Sequence, residues 1–588
     1  MTMKKRSIFL SAAALLLLAA GCSNNDKVNL EDPKGTVDLA KGLEFRVNFG
    51  DYNAEKDVAS TRATQKPDTL RQETIDLGDN LLAEVTIQRD TTRTAPRKAT
   101  RALPDDTYTM LVFQGSFPSY TLKGQVTGTV RSGKFTTNVG MQLAPGPYTF
   151  VLHNNLMTYG NTPMGSPGLT LTYENAEKAM IAQTDYTVTP TPDPQYVDFQ
   201  MQHVGTRMRI KLSGWMPIQA TTTASIQDYD HLVLNRDCQF ELPLNGSVLD
   251  IGNLQGFDLP LTFPASSSMP TDGTYTSTSK EYLYFAPNVS MRGFKIKFTG
   301  GQIYNMNMAG KELPLINLPD VSPSVVTVMG SNESYLVNIN LKYNFLYLMS
   351  NGDTDFLNST PYTALRGNDG TTKRYVDKHG NPCSPKTPIA IVLSQSKHVA
   401  MALSDANGGA AVLWCANKYN NTQTNTHMVA NGQENDVFSS KATSGYDETW
   451  DPSYTTSTVT GNKVKALNPD FPAFKAAAEY HPDVNYTGSP ALKWYLPSLS
   501  DWLMAFSNLG FGDKTTVHAY NYADWYNNLY SIAFQQIGKS GFSGGNTWYW
   551  SSSESGTFYV GTFSPGEHAK FDFEHKYFLR YVRPFVKY

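Results

Sequence analysis

The sequence predicts a mostly β protein in three folded regions: two consecutive antiparallel β-sandwiches, then a closing α+β domain. Three observations predict it. Apolar and polar residues alternate in short runs up to about residue 345, the period of a half-buried strand. Turn formers are plentiful, with 44 Gly and 33 Pro, and helical periodicity appears only beyond about residue 470. A chain of 588 residues exceeds one core and suggests about three or four domains of ~100–200 residues each. A net charge of −3 leaves no basic footprint for nucleic acid, and 17% charged residues with 33 Tyr suit an extracellular β protein.

The first segment reads as an export signal. Lys4, Lys5 and Arg6 precede the apolar run Ile8–Ala20, which ends in small residues. Leu18-Ala-Ala-Gly-Cys22 resembles a bacterial lipobox, with Leu one place further from Cys than is commonest. The resemblance implies cleavage before Cys22, lipidation of Cys22, and an outer-membrane tether made by acyl chains alone. Residues 1–21 are then the lipoprotein signal peptide and 22–41 a polar tether. No later run approaches the ~20 apolar residues of a membrane helix.

Strands follow in order. Leu43–Phe49 alternates Leu, Phe, Val, Phe against Glu, Arg, Asn, and Leu81, Ala83, Val85 and Ile87 repeat the pattern. The segment Thr91–Ala102 holds Arg93, Arg97, Lys98 and Arg101 without apolar cover, so it is either a solvated basic linker or a protease-sensitive one. Short β runs then recur at Thr107–Phe113, Tyr120–Val130, Gly146–Leu152 and Tyr196–Met201. A second set comprises Arg207–Leu212, His231–Leu234, Tyr282–Phe285, Phe294–Phe298 and Tyr335–Leu341. The boundaries are 42–205 for the first sandwich, with a removable N-terminal strand region, and 206–345 for the second.

These residues carry a resemblance. The lipobox, the Arg101–Ala102 step before Thr107-Tyr-Thr-Met-Leu-Val-Phe113, the strand Leu143–Val151 and the finish Tyr335-Leu-Val-Asn-Ile-Asn-Leu341 resemble the fimbrillin superfamily, the lipoprotein pilins of type V pili. The match covers roughly residues 40–345 and is diffuse. It implies two transthyretin-like sandwiches, proteolytic maturation between Arg101 and Ala102, and partnership with other pilin subunits by donor-strand complementation. Stalk pilins end in a donor tail, whereas this chain continues well past Phe345, a departure that implies a tip-pilin-like subunit. An anchor or assembly subunit and a surface glycan-capture lipoprotein are the other roles.

The third region, 346–588, changes composition: seven of the eight Trp lie beyond residue 400. Asp470–Tyr480 reads as a short Ala-rich helix with Pro in its first turn. Leu499, Trp502, Leu503 and Phe506 make a helical stripe capped by Ser498 or Ser500, and Trp525, Leu529, Ile532, Ala533 and Ile537 make another. Pro388–Leu393, His398–Leu403, Ala411–Trp414 and the C-terminal runs supply the sheet. Trp494-Tyr-Leu-Pro-Ser498, Tyr549-Trp-Ser-Ser-Ser-Glu554 and Arg580-Tyr-Val-Arg-Pro-Phe585 resemble the C-terminal domains of bacterial collagen-like adhesins, of the C-type-lectin/formylglycine-generating-enzyme-like superfold. That resemblance makes Trp550, Val582, Arg583 and Pro584 framework and puts ligand contact, to a host or bacterial surface glycan or protein, on the turns and strand faces between them. Some proteins of this resemblance are diversified by retroelements, and the run Thr557–Tyr577 is compatible with that.

No catalytic or metal chemistry is legible. Cys383-Ser-Pro-Lys-Thr387 has Thr where a sulfatase maturation site needs Arg, no Cys follows Cys415, and the ten His show no metal-ligand spacing. Glu-Pro-Asn, Gln-Pro-Asp and Trp-Asn-Asp, the calcium-lectin signatures, do not occur. The expectation is therefore of no enzyme, no cofactor and no metal. Cys383 and Cys415 are either a disulfide pair or two isolated thiols. The aromatic and polar residues of the closing stretch, Tyr549, Glu554, Thr557, Tyr559, Glu567, His568, Phe571, Asp572, Glu574 and Tyr577, are the candidate ligand contacts, since rings with polar handles give contact area at small entropic cost. Alternation requires one set of them to be core instead.

Overall fold

The structure, a computed structural model, describes residues 35–52, 69–90, 107–116, 119–163, 165–191, 194–228, 237–242, 244, 248–251, 258–266, 273–315, 328–357, 365–366, 373–376, 382–383, 386–542 and 547–588. Cys22, Arg101, Ala102, the signal segment and the strand expected at His231–Leu234 lie outside the described residues. The described chain is mostly β, as its sequence predicts. It separates into two compact units, one of residues 1–48, 101–155 and 182–201, the other of the remainder.

In the first unit, Leu43–Phe49 places Leu43, Phe45 and Val47 inward and its charged residues outward. Phe45 is the hub of the core, with Phe150 at 5.6 Å and Phe135 and Phe199 at 6.1 Å between ring centroids. The sequence predicts an antiparallel β-sandwich here. The ladder instead closes into a barrel in which Leu43–Phe49 lies between Gln195–His203 and Lys134–Thr136. Closure removes the free edges that an open sheet presents.

The second unit begins with a true two-sheet sandwich. One sheet runs Tyr275–Thr278, Thr206–Gly214, Ser334–Tyr343, Leu81–Arg89, Thr69–Asp76, and the facing sheet runs Leu259–Thr262, Thr223–Asp228, Phe294–Gly300, Glu312–Pro314. Leu81, Ala83, Val85 and Ile87 enter its core beside Ile210, Ile226, Ile296 and Ile339. The segment 69–90 thus belongs to the second sandwich, not to the 42–205 region in which sequence order puts it. Its register against Ser334–Tyr343 is unbroken from Arg89↔Tyr335 to Leu81↔Tyr343. Pro167–Leu171 likewise crosses the expected boundary at residue 205, pairing with Asp237–Glu241.

Beyond residue 345 the fold is α+β. A sheet of Thr354–Phe356, Leu346–Met349, Pro388–Ser394, Val399–Ala402, Phe585–Lys587 and Lys493–Tyr495 holds the closing strand in its interior. A second sheet runs Tyr522–Ala523, Ala569–His575, Tyr559–Pro565, Tyr549–Ser555. Of the two expected caps, Ser498 is the one used, closing the helix Leu499–Asn508 in a reciprocal capping box with Asp501. The other two expected helices are Pro472–Ala478 and Asn527–Gln535.

One apolar core runs from the sandwich into this α+β region. Phe511 meets Tyr343 at 4.9 Å and Tyr304 at 5.6 Å, and Trp215 stacks on Phe345 at 6.5 Å. Asn528 Nδ2 donates to the Trp215 and Gly273 carbonyls, at 3.2 and 3.1 Å. Residues 346–588 are therefore packed on the sandwich by aromatic contact, so the boundary at 345 cuts through a shared core.

Candidate functional site: the aromatic end of the terminal sheet

Two strands of the terminal sheet, Tyr549–Ser555 and Tyr559–Pro565, are covered on both faces, and burial decides three of the expected contacts. Phe563 and Phe571 point into the core shared with the sandwich, and Trp550, Val560 and Val582 into a second cluster around Trp414. Tyr549 is fully buried, 5.6 Å from Trp502, with its hydroxyl on Asp405. Phe571 is fully buried against Phe438 and Phe506. Neither reaches a ligand, and both are corrected to core. The Tyr549 strand lacks the solvent-facing side that simple alternation implies, while Phe571 sits on the inward face of an alternating strand.

Glu554 is also buried and is corrected to a framework role. Its carboxylate accepts the Thr424 N–H at 2.9 Å and the Asn425 N–H at 2.6 Å, and Lys576 donates to it from full burial. Beside it, Lys465 donates to Asn425 Oδ1, Asn425 Nδ2 donates to Glu448 at 3.3 Å, and Ser552 donates to Glu448. Burial raises the Glu448 carboxyl to about 8, against the pull of the Ser552 hydrogen bond and the Lys465 charge. Burial lowers Lys465 to about 8, against the Glu554 and Glu448 charges. The Lys465 ammonium lies 5.1 Å from the Phe474 ring centre and 5.8 Å from that of Trp414. This polar knot pins the segment 422–470 to the sheet. Framework roles hold for Trp550, buried with Nε1 donating to Val412 O, and for Arg583, which donates to Asp405 at 2.7 Å and to the Gly541 carbonyl at 2.8 Å.

Cys415 is a free thiol buried beside Trp414, so it is not half of a pair with Cys383, whose side chain lies outside the described ones. Burial pushes it up to about 12, which keeps it protonated and inert.

The remaining candidates gather at the sheet's turn end. The turn at Gly556 is tight: its φ is +56°, and a Cβ there would sit 2.4 Å from Asn431 Oδ1. It leaves Thr557 half-buried and Phe558 exposed at 41%. Tyr559 lies opposite His575, rings 4.5 Å apart, and His575 stacks on Tyr577 at 4.8 Å and 15°. Tyr577 is 50% exposed, and Phe578 stands 4.9 Å from it under the Arg580 guanidinium. Arg580 grips Glu574 through two contacts of 2.6 Å, so that carboxylate is committed to fixing the strand end. Five rings thus form one surface cluster: Phe558, Tyr559, His575, Tyr577 and Phe578.

A second group lies along the same sheet. Lys570 binds Asp572 at 2.6 Å and sits 5.5 Å from the Trp548 ring and 5.6 Å from the Tyr522 ring. Tyr522 is the most exposed ring here, at 71%. Exposed His568 contacts Asp524 at 2.7 Å, and Glu567 is exposed in the adjoining turn. Sequence reading took His575 as an ordinary surface histidine and did not include it, Phe578, Tyr522 or Trp548 among the ligand contacts. The signal available for the first two was their place beside the Lys576–Tyr577 turn.

No protein-family model matches the chain, and no curated protein matches it. Among solved structures it is similar to a candidate adhesin of Bacteroides thetaiotaomicron, at 13% identity over 53% of this chain and 93% of that one, with a TM-score of 0.29. It is also similar to a fimbrial protein of Bacteroides ovatus, at 10% identity over 94% of this chain and 100% of that one, TM-score 0.20. A third is the fimbrial anchor protein Mfa2 of Porphyromonas gingivalis, at 8% identity over 43% and 77%, TM-score 0.20. Likeness at these TM-scores carries no argument about the present chain.

Proposed function

We propose that this protein is a fimbrial adhesin subunit, exported as a lipid-anchored precursor, that accepts a strand from a neighbouring pilin and presents the aromatic end of its terminal sheet to a ligand. The observation that carries the reading is the placement of Leu81–Arg89. This strand lies between Ser334–Tyr343 and the edge strand Thr69–Asp76 in the second sandwich, buries Leu81, Ala83, Val85 and Ile87, and precedes the basic segment that contains Arg101. A cut at Arg101–Ala102 would free the chain up to residue 101, strands Leu43–Phe49 and Leu81–Arg89 included. Ser334–Tyr343 would then become an edge beside an open apolar groove, the geometry that strand addition fills. Each large side chain withdrawn from the groove is worth roughly 1.5–3 kcal/mol of burial, so the vacancy demands a replacement strand.

The C-type-lectin likeness supports a surface glycan or protein as ligand. A Cys22 lipid that tethers the precursor until the cut removes it, and a tip position, complete the proposal. Sequencing the mature N-terminus from isolated surface filaments tests it. A start at Ala102 supports maturation, and its replacement by a start at Cys22 in Arg101→Ala filaments identifies the bond. An unchanged N-terminus in that variant refutes the scissile bond, and immunogold confined to the cell surface refutes the tip role.

A further inference from the structure

A cleft of about 390 Å³ opens where the second sandwich meets the α+β region. Two hairpin tips, Asp79–Asn80 and Tyr304–Asn305, form one wall, and the end of the helix Leu499–Asn508 and the turn after Pro388–Ser394 form the other. Both hairpin pairs, and Phe511 opposite, have left-handed backbone, with φ between +51° and +64°. Such a conformation costs a Tyr or Phe about 1–3 kcal/mol and persists where packing over-determines it. Packing does so here. Tyr304 Oη donates to Leu341 O at 2.7 Å and accepts from Trp215 N at 2.9 Å, while Phe511 is wedged between Tyr304 and Tyr343. The cleft is consequently rigid before any ligand arrives, which lowers the ordering cost of binding.

Its chemistry is specific. The rim carries amides and hydroxyls: Asn80, Asn305, Gln395, Ser507 and Asn508. Asn80 donates to Tyr343 Oη at 3.2 Å and Asn508 to Leu393 O at 2.8 Å, which fixes both amides in place. Asn305 and Gln395 are exposed and spend no side-chain hydrogen bond within the described chain. The one ionisable rim group apart from tyrosine is Asp79, paired with Lys311 at 2.9 Å, and no Lys, Arg or His among the described residues lines the cleft. Tyr343, Phe345 and Phe511 supply apolar surface beneath. A ligand that fits is uncharged, rich in hydroxyls that both donate and accept, and apolar on one side.

We propose that this cleft binds the terminal unit of a neutral saccharide, at a site separate from the aromatic cluster of the terminal sheet. The test titrates the uncut chain, which keeps the Asp79–Asn80 tip that a cut at Arg101 would remove, with neutral mono- and disaccharides (glucose, galactose, mannose, N-acetylglucosamine, lactose) and with sialic acid, by saturation-transfer NMR and calorimetry. Binding of at least one neutral sugar is expected. Ser507→Trp, which fills the cleft, and the double variant Asn305→Gly/Gln395→Ala, which keeps the backbone and strips two amides, each weaken it tenfold or more. Tyr577→Ala leaves it unchanged. The double variant decides the matter if Ser507→Trp misfolds. No binding by any neutral sugar, equal binding of sialic acid, or insensitivity to the cleft variants overturns the inference. Loss with Tyr577→Ala alone overturns it too, while leaving adhesion through the terminal sheet intact.

Discussion

At the residue scale, the buried ions of the α+β region govern stability. Removing one member of a buried pair leaves an uncompensated charge, typically costing about 3–5 kcal/mol. Lys576→Met should therefore destabilise strongly, and Glu554→Gln on top of it should recover some of the loss, as urea midpoints of the single and double variants will show. Glu448 gives a pH signature. Its carboxyl is raised to about 8 in the folded protein, so the folded state holds a proton that the unfolded state releases near 4.5. Stability from this group is full below about pH 4.5 and falls as pH rises through 8. Lys465 adds no slope in that window, being protonated in both states below about 8. Urea midpoints measured from pH 5 to 8 should decline, and Glu448→Gln should flatten the decline.

At the element scale, the proposed cut at Arg101 would make the strand Leu81–Arg89 removable. A chain lacking the residues up to 101 should be markedly less stable or self-associating, and a synthetic peptide of residues 79–91 should rescue it. A fluorescence melt that shows no rescue would count against strand replacement. This strand also shows what was legible. Its alternation gave its type and inward face correctly, because both depend on local period alone. Its partner was not legible: Ser334–Tyr343 lies far away in sequence, and nothing in the alternation of Leu81–Ile87 selects that strand over the barrel. Three candidate contacts failed for a related reason. Tyr549 and Glu554 lie on a strand buried on both faces, with the second cover supplied by residues 411–480, and Phe571 lies on the inward face of an alternating strand. The helices were legible because a cap such as Ser498 and a stripe such as Leu499–Phe506 are local signals.

At the whole-molecule scale, the shared core joins the sandwich and the α+β region into a single cooperative unit. Phe511→Ala removes a ring packed on Tyr304 and Tyr343, and should cost about 3 kcal/mol by cavity formation, less what relief of backbone strain returns. Calorimetry should then show both regions melting together at a lower temperature. A fragment of 346–588 should expose Phe511 and bind a hydrophobic dye, so adhesion is best assayed with the full chain.

The position of Phe585–Lys587 has a kinetic consequence. It lies between Val399–Ala402 and Lys493–Tyr495, in a sheet that also holds Leu346–Met349. Every neighbour is separated from it by a long stretch of sequence, so loop-closure entropy precedes any gain from pairing. Refolding of this half should be slow. Stopped-flow tryptophan fluorescence will follow it directly, since seven of the eight indoles lie beyond residue 400.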